Sequence, residues 1–274
     1  MKEDRSAEAA LALFHPVIQR WFRQTYTAAT DIQQRSWPCI ASGAHVLLTA
    51  PTGSGKTLCA FLWAVNQLLT QAWPSRSTGV LYVSPLKALN NDIRRNLVHP
   101  LREIRERFAL EAIPCPEIRI LTRSGDTPPR ERQQMLRRPP EILITTPESL
   151  NLLLSSPRAR ENLRSLRTVI LDEVHAIAAD KRGTHLITAV ERLVLLSGEF
   201  QRLALSATVK PAESIADWVG GYQLVRDRGA SADRDACQSG NPIYRKREVK
   251  ILRSPERRTT GDAAGPSDQE PGQT

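Results

Sequence analysis

The sequence predicts an α/β fold in which a mostly parallel sheet carries helices on both faces. Short apolar runs of strand length alternate along the chain with longer segments of helical pattern, which is typical of parallel sheets. A glycine-rich turn joins the first of these strands, His45–Thr49, to a helix over about Leu58–Leu69. A strand, a glycine-rich turn and a helix in this order form a phosphate-binding loop, or P-loop. The expected fold class is therefore that of a P-loop nucleoside triphosphatase.

The predicted loop spans Ala50–Thr57 and reads APTGSGKT. Gly53 and Gly55 permit backbone angles and a close approach that a side chain would block, so the backbone N–H groups and the helix N-terminus face the phosphates. Lys56 is expected to reach the β- and γ-phosphates, and Thr57 to offer its hydroxyl to Mg²⁺. The sequence therefore predicts that the chain binds a nucleoside triphosphate together with Mg²⁺.

Composition favours a protein that meets a polyanion. The 274 residues suffice for one large domain or two small ones, and 41% hydrophobic with 24% charged residues is ordinary for a globular protein. The net charge of +9 favours nucleic acid as the partner, with a merely solvated basic surface as the alternative. The four cysteines are scattered without a C-x-x-C pair, and no signal peptide or membrane-spanning run is apparent. These features predict a cytoplasmic protein without a membrane partner.

The region before the loop is predicted to contribute to the adenine end of the site. An apolar stripe predicts a helix over Leu11–Tyr26, and Thr30 with Gln33 three residues later forms a capping-box pattern. The alternative for Gln33, favoured by its position shortly before the loop, is that its carboxamide pairs with the N6/N7 edge of adenine. Phe14 or Phe22 could stack on the base, although core packing is the better prediction for both.

Three further apolar runs are predicted to be strands, over Gly79–Ser84, Glu117–Leu121 and Glu141–Thr145. The carboxyl ends of parallel strands lie at one edge of the sheet, and ligands bind there in such folds. Polar or basic residues follow each of these strands, whereas most of the other arginines are expected on solvated helix faces. The favoured phosphate contacts are Lys87, Arg123, Thr145 and Thr146.

An acidic pair follows the buried strand predicted over Val169–Leu171. Asp172 and Glu173 would be costly to place there without a cation or a role in proton transfer. Asp172 is expected to hold Mg²⁺, directly or through water, and Glu173 to polarise the water that attacks the γ-phosphate. The alternative is a helix N-terminus that carries acidic residues in its first turn.

The next predicted strand, Arg202–Leu205, leads to a Ser-Ala-Thr turn. The hydroxyls of Ser206 and Thr208 are expected to hydrogen-bond His175 or Asp172 and so to respond to the γ-phosphate. Near Asp227 the composition becomes rich in Asp, Arg, Gly and Ser, and Ile243–Leu252 then alternates like an edge strand. The last sixteen residues are almost without apolar side chains and are predicted to be disordered.

The order of these motifs resembles the first RecA-like domain of superfamily 2 helicases of the DEAD/DEAH type. The segments that carry the resemblance are Gln33, APTGSGKT, SPLKALNND, TRSGDTPPRER, TTPESL, DEVH and LSAT. Over about Phe14–Val225 the chain is similar, more narrowly, to the large-helicase-related (Lhr) branch. The resemblance implies an ATP- and Mg²⁺-dependent motor that moves 3′ to 5′ along single-stranded DNA and unwinds duplexes, with a role in DNA repair.

The resemblance also assigns roles by position. Residues matching the ATP site are Gln33, Thr52, Gly53, Ser54, Gly55, Lys56 and Thr57. The expected catalytic residues are Lys56, Asp172, Glu173 and His175, and the expected metal ligands are Thr57 and Asp172. Residues matching the path of the nucleic acid strand are Pro85, Lys87, Arg123, Thr146 and Pro147. Ser206 and Thr208 match the motif that couples the two sites.

The sequence departs from the family pattern because no second RecA-like domain is recognised. The expected division is a RecA-like domain over 1–226, a linker with a possible first strand of the second domain over 227–258, and a tail over 259–274. Related enzymes complete the site with an arginine from a second element, worth about 10³–10⁵ in rate. The 274-residue chain is therefore expected to bind ATP weakly, to hydrolyse it poorly and not to unwind DNA, since the second RecA-like and accessory domains belong to the full-length protein.

Two other functions remain open at this stage. A DEAD-box RNA helicase has a similar first domain, although DEVH in place of DEAD and the GDT and KRG segments favour the DNA branch. A non-catalytic, ATP-gated nucleic-acid-binding module is the second alternative. A metabolic kinase is disfavoured because nothing in the sequence resembles an acceptor pocket for a small molecule.

Overall fold

The computed structural model describes residues 2–85, 93–225 and 243–254. The strands in chain order are β1 (His45–Thr49), β2 (Val80–Val83), β3 (Ile120–Arg123), β4 (Ile142–Thr145), β5 (Thr168–Leu171), β6 (Gln201–Ser206), β7 (Tyr222–Val225), β8 (Ile243–Lys246) and β9 (Val249–Arg253). Seven strands form one sheet in the order β3-β4-β2-β5-β6-β1-β9, and every pair in it is parallel. Strands β7 and β8 form a separate antiparallel ribbon. The predicted parallel sheet is confirmed.

The helices in chain order are α1 (Lys2–Leu11), α2 (Pro16–Thr25), α3 (Asp31–Ala41), α4 (Lys56–Leu69), α5 (His99–Leu110), α6 (Pro129–Arg137), α7 (Pro147–Ser155), α8 (Pro157–Asn162), α9 (Lys181–Ser197) and α10 (Ala212–Gly220). A π-helical turn, Arg94–Val98, leads into α5, and a 3₁₀ turn, Val174–Ala176, follows the acidic pair. Within the described ranges, no helix combines the length and the apolar composition that crossing a membrane requires.

The helix expected over Leu11–Tyr26 is present but shorter, because α1 ends at Leu11 and α2 begins only at Pro16. Pro16 occupies the first turn of α2, where its missing N–H costs nothing and its fixed φ favours a helix start. The ring of His15 caps this start by accepting a hydrogen bond from the N–H of Val17 at 3.3 Å.

Helices cover both faces of the sheet because successive strand residues point in opposite directions. Val46 and Leu48 of β1 pack into the core formed with α2, α3, α4 and α5, which also buries Trp37. Leu47, between them, packs into the core formed with α7, α9 and α10. The sheet is therefore buried on both sides, and its loops at the carboxyl edge are the part open to ligands.

Strand β9 corrects the expected place of Ile243–Leu252. That segment was expected to belong to a linker and the start of a second domain, but β9 pairs with β1 at the edge of the main sheet. Its backbone continues the ladder to the end of β1, where the N–H of Ser254 donates to the carbonyl of Thr49 at 3.0 Å. Strand β9 thereby supplies hydrogen-bond partners to the backbone groups at the edge of β1. The main sheet therefore includes residues beyond 226.

A buried arginine anchors the segment that carries β9. Arg247 is almost fully buried, and its guanidinium donates to Glu199 at 2.8 and 3.0 Å and to Glu191 at 3.1 Å. Glu191 also accepts from Arg202 of β6 at 2.8 Å, and both arginines donate to the carbonyl of Gly220. The network ties the turn before β9 to α9, α10 and β6.

We expect Arg247→Leu to lower the free energy of unfolding by about 3 kcal/mol, near the lower end of the cost of breaking a buried ion pair. The lower end applies because Glu191 and Glu199 remain partly exposed and can be hydrated. Arg253→Leu is the matched control, since it removes the exposed pair between Arg253 and Glu213, worth less than about 1 kcal/mol. Urea denaturation compares the variants, and equal losses would contradict the anchoring role.

Candidate nucleotide site and strand-end loops

The loop between β1 and α4 has the backbone that its glycines predict. Gly53 and Gly55 have φ values of +80° and +87°, in the left-handed region that favours glycine. A Cβ on Gly55 would lie 2.5 Å from Nε2 of Gln33, so glycine is also needed there for close packing. Gly55 directly precedes the first turn of α4, and the free N–H groups of that turn open towards an anion.

Lys56 lies at the start of α4 and is 7% exposed. Its ammonium donates to the carbonyl of Ala50 and, at 2.8 Å, to that of Pro51. Burial lowers the pKa of Lys56, while the nearby charges of Glu173 and Asp172 act in the opposite direction. A buried cation that is held only by carbonyls of its own loop and by distant carboxylates is well placed to receive phosphate oxygens.

The predicted nucleotide residues and the acidic pair line one cleft. Its walls are formed by Tyr26, Ala28, Thr30, Gln33, Thr52, Gly53, Gly55, Lys56, Thr57, Leu58, Arg95, Asn96, Asp172 and Glu173. The fold therefore brings together residues that are more than 130 positions apart in the chain. Ser54 is not among these lining residues, and its hydroxyl is buried without a hydrogen-bond partner.

Asp172 begins the turn after β5 and is 8% exposed. Its carboxylate accepts a hydrogen bond from the hydroxyl of Tyr82 and, at 2.9 Å, another from the N–H of Glu173. Burial raises the pKa of Asp172, and the hydrogen bond from Tyr82 opposes that rise. The carboxylate is thus desolvated, oriented and close to a lysine, an arrangement that a bound cation would stabilise.

Glu173 has a left-handed backbone, with φ of +50°, and lines the cleft. Its carboxylate lies 3.4 Å from Nε2 of His175. The predicted alternative, acidic residues in the first turn of a regular helix, is wrong, because only a three-residue 3₁₀ turn follows. Glu173 is therefore positioned by a strained turn and by His175, as a residue that handles a proton would be.

The Ser-Ala-Thr turn contacts His175, but through its backbone. The N–H of Ala207 donates to Nδ1 of His175 at 3.2 Å. The hydroxyl of Ser206 is buried without a partner, and Thr208 is exposed. The prediction that the hydroxyls of Ser206 and Thr208 donate to His175 or Asp172 is therefore wrong. The donor to His175 is a backbone N–H instead, because β6 extends through Ser206 and brings the backbone of Ala207 to the histidine ring.

Gln33 is engaged at both ends of its carboxamide. Its oxygen accepts from the N–H of Thr30 at 3.0 Å, which completes the predicted capping box of α3, and its Nε2 donates to the carbonyl of Gly55 at 3.4 Å. Gln33 therefore links the helix start to the phosphate loop. Its contact with adenine stays a prediction.

Among the cleft residues that the sequence did not assign to the site are Tyr26, Arg95 and Asn96. Tyr26 lines the cleft, whereas Phe14 and Phe22 are buried in the core, as their apolar stripe favoured. Arg95 and Asn96 reach the cleft from the π-helical turn before α5. Tyr26 could have been predicted, because it is an aromatic residue only four positions before the capping Thr30. Nothing in the local sequence indicated that Arg95 and Asn96 would reach the cleft.

The strand-end residues predicted to meet nucleic acid lie along the same edge of the sheet. Arg123 ends β3 and Thr145 ends β4, and the hydroxyl of Thr145 donates to the carbonyl of Arg123 at 2.7 Å. Thr146 caps α7 and Pro147 opens it. Pro85 follows β2 and is buried, whereas Lys87 lies outside the described residues. The placement agrees with a binding edge, although the contacts themselves stay predictions.

A P-loop that shares a cleft with an acidic pair, at the carboxyl edge of a parallel sheet, defines a nucleotide-binding domain of the RecA-like type. The sequence profile of the DEAD/DEAH box helicase family matches residues 30–215. The chain belongs to the DEAD/DEAH box helicase family.

Relatives with curated descriptions confirm the resemblance to the Lhr branch. The chain is 51% identical over 213 residues to the "Lhr helicase/ probable uracil glycosylase" of Mycolicibacterium smegmatis, covering 77% of this chain and 14% of the relative. It is 45% identical over 248 residues to the "Lhr helicase/uracil glycosylase" of Escherichia coli, covering 88% of this chain and 15% of the relative. The chain thus spans about one seventh of the length of these two relatives.

Solved structures agree on the fold. The chain matches Mycobacterium smegmatis helicase Lhr bound to single-stranded DNA and AMP-PNP with a TM-score of 0.76 and 43% identity, over 90% of this chain and 28% of that one. It matches the DEAD-box helicase Mss116 bound to single-stranded RNA with a TM-score of 0.66 and 19% identity, over 88% of this chain and 43% of that one. The second likeness concerns the fold alone.

We expect Asp172→Asn to stabilise the chain at neutral pH while abolishing Mg²⁺-dependent nucleotide binding. The raised pKa means that an ionised Asp172 opposes folding, so stability falls as pH rises from the ordinary aspartate pKa to the raised pKa of the folded state. The amide removes this cost and can still bond both Tyr82 and the N–H of Glu173, so the gain should be about 0.5–2 kcal/mol. Thermal unfolding measures it, and the gain should vanish at a pH below the ordinary aspartate pKa. A loss of stability at neutral pH would contradict this account.

Proposed function

We propose that this chain is the ATP-binding half of an ATP-dependent motor that moves 3′ to 5′ along single-stranded DNA and separates duplexes, in the service of DNA repair. The observation that carries the proposal is the shared cleft of Lys56, Thr57, Asp172 and Glu173. Membership of the DEAD/DEAH box family and similarity to Lhr helicases support it. The scattered free cysteines agree with a cytoplasmic location.

Each cleft residue has a role that its surroundings support. Lys56 would exchange its loop carbonyls for phosphate oxygens, and the free N–H groups at the start of α4 would bind further oxygens. Glu173, held near His175, would orient a water and accept its proton as the γ-phosphate is attacked. The backbone contact between Ala207 and His175 would carry the state of this site to β6.

The residues at the cleft fit Mg²⁺. Mg²⁺ prefers oxygen ligands and is usually held by one or two carboxylates together with substrate phosphates. Thr57 and Asp172 offer a hydroxyl and a desolvated carboxylate in the same cleft. The part of the chain that the structure describes contains no group of three or more His, Cys, Asp or Glu residues suited to a metal. When bound, Mg²⁺ would neutralise charge on the β- and γ-phosphates.

DNA is favoured over RNA as the strand. The solved Lhr relative at 43% identity is described with single-stranded DNA, whereas the RNA-bound Mss116 shares only the fold at 19% identity. The net charge of +9 supports a polyanion of either kind. The motor is proposed to require a second RecA-like domain and accessory domains, because the chain covers only a small share of its relatives.

We expect the 274-residue chain to bind Mg²⁺-ATP, to hydrolyse it slowly and not to separate duplex DNA. Glu173→Gln should lower any turnover by about 10²–10⁴-fold, the range for removing a general base, without weakening nucleotide binding. A steady-state ATPase assay with oligo(dT), oligo(U) or no strand compares the two proteins.

Faster turnover with oligo(dT) than with oligo(U) would support the DNA motor, and the reverse order would favour the RNA-helicase alternative. Nucleotide binding with no turnover at all would favour the non-catalytic, ATP-gated module. Strand separation by the chain alone would overturn the requirement for a second domain.

A further inference from the structure

Arg182 contacts both the residue that follows β2 closely, Pro85, and the first turn of α7. Its Nε donates to Oε1 of Glu148 at 2.8 Å, and its Nη2 donates to the carbonyl of Pro85 at 3.1 Å. Pro85 follows β2, and Glu148 lies in the first turn of α7, directly after Thr146 and Pro147. A single guanidinium therefore bridges the end of β2 and the start of α7, two segments with residues that are predicted to lie along the nucleic acid.

Arg182 is also close in the chain to the acidic pair. The 3₁₀ turn after Glu173 leads to Ile177 and then to Asp180, which caps α9 by accepting from the N–H of Gly183 at 2.9 Å. A Cβ on Gly183 would lie 2.0 Å from the carbonyl oxygen of Ile177, so this segment is packed without free space. A shift at Glu173 would consequently be passed to the start of α9, where Arg182 is located.

A second contact joins the same two helices. Nδ2 of Asn151 on α7 donates to the carbonyl of His185 on α9 at 3.3 Å and to that of Pro147 at 3.1 Å. The N-terminal parts of α7 and α9 are thus held together by the hydrogen bond from Asn151 and by the ion pair between Arg182 and Glu148. The connection runs from the turn after Glu173, through α9, to Pro85 and the start of α7.

The ion pair between Arg182 and Glu148 contributes little to the free energy of unfolding, so the role of Arg182 is to orient its partners. The side chains of Arg182 and Glu148 are 45% and 58% exposed, and exposed ion pairs contribute only about 0.2–1 kcal/mol. Burial acts to raise the pKa of Glu148, but hydrogen bonds from Arg182, the backbone and Thr146 together lower it, and the hydrogen bond to Glu148 raises the pKa of Arg182, so both groups stay charged over the physiological range. The planar guanidinium can hold a carboxylate and a carbonyl in fixed directions, which an ammonium cannot do.

We propose that Arg182 is a positioning residue that couples the nucleotide cleft to the nucleic-acid edge by holding Pro85, which follows β2, and the first turn of α7, which follows β4, in one arrangement, a role that rests on the proposed function. Arg182 would contact neither ATP nor its metal. Its loss should leave nucleotide binding intact while removing the mutual influence of the two ligands.

The test measures the affinity of the 274-residue chain for oligo(dT), with and without Mg²⁺ and AMP-PNP. The ratio of the two dissociation constants reports the coupling, which is typically 5–150-fold in either direction. Arg182→Gln should bring this ratio to within about twofold of one, and Arg182→Lys should leave it intermediate. Affinity for AMP-PNP alone should stay unchanged. Arg164→Gln is the matched control, because it removes an exposed Arg–Glu pair of 2.7 Å that touches no strand-end loop.

Hydrogen exchange provides a readout that does not depend on binding DNA. In the unaltered chain, Mg²⁺ and AMP-PNP should slow amide exchange over residues 52–58 and also over residues 146–151. Arg182→Gln should keep the first effect and lose the second. A variant that keeps both the coupling ratio and the second effect would overturn the role of Arg182. An unaltered chain without protection over residues 52–58 would instead contradict the proposed nucleotide site and remove the basis of the inference.

Discussion

Strand β6 lies between β1 and β5, and its backbone hydrogen bonds set the distance between the phosphate loop and the acidic pair. The register pairs Thr49 with Ser206 and Leu171 with Ala204, and the N–H of Ala50 donates to the carbonyl of Ser206 at 3.2 Å. Adjacent strands are about 4.8 Å apart, so two strand spacings separate the two motifs by about 10 Å. That gap accommodates phosphates and a cation, and it is defined by main-chain bonds rather than by the site's own side chains.

The same edge of the sheet carries features that oppose stability. Asp172 and Lys56 are both buried, and burial shifts the pKa of each towards its neutral form. Glu173 has a left-handed backbone, and the hydroxyl of Ser206 is buried without a partner. A non-glycine residue in that conformation costs on the order of 1–3 kcal/mol. Destabilising features of this kind, concentrated beside a cleft, are typical of binding sites, where a bound ligand supplies the missing contacts.

Local motifs made the fold predictable, together with most of the residues that line the candidate nucleotide cleft. The phosphate loop, the Thr30–Gln33 capping box and the acidic pair are short segments whose residue types determine their own backbone. Contacts made by distant backbone were not predictable in the same way. The donor to His175 is the backbone N–H of Ala207, which almost any residue type would provide. The hydroxyl side chains of Ser206 and Thr208 therefore suggested the wrong donor. The pairing of β9 with β1 depends on a buried anchor, Arg247, whose partners lie about fifty residues away in the chain.

The most direct test of the nucleotide site is a calorimetric titration of the chain with Mg²⁺-ATP, beside Lys56→Ala and the exposed-residue control Lys250→Ala. Losing a charge-assisted hydrogen bond of about 1.5–3 kcal/mol should weaken binding about 10- to 150-fold in Lys56→Ala. The control should bind like the unaltered chain, and thermal unfolding of Lys56→Ala should show no loss of stability, because a buried ammonium has been removed. A Lys56→Ala chain that binds as tightly as the control would contradict the assignment of this cleft to the phosphates.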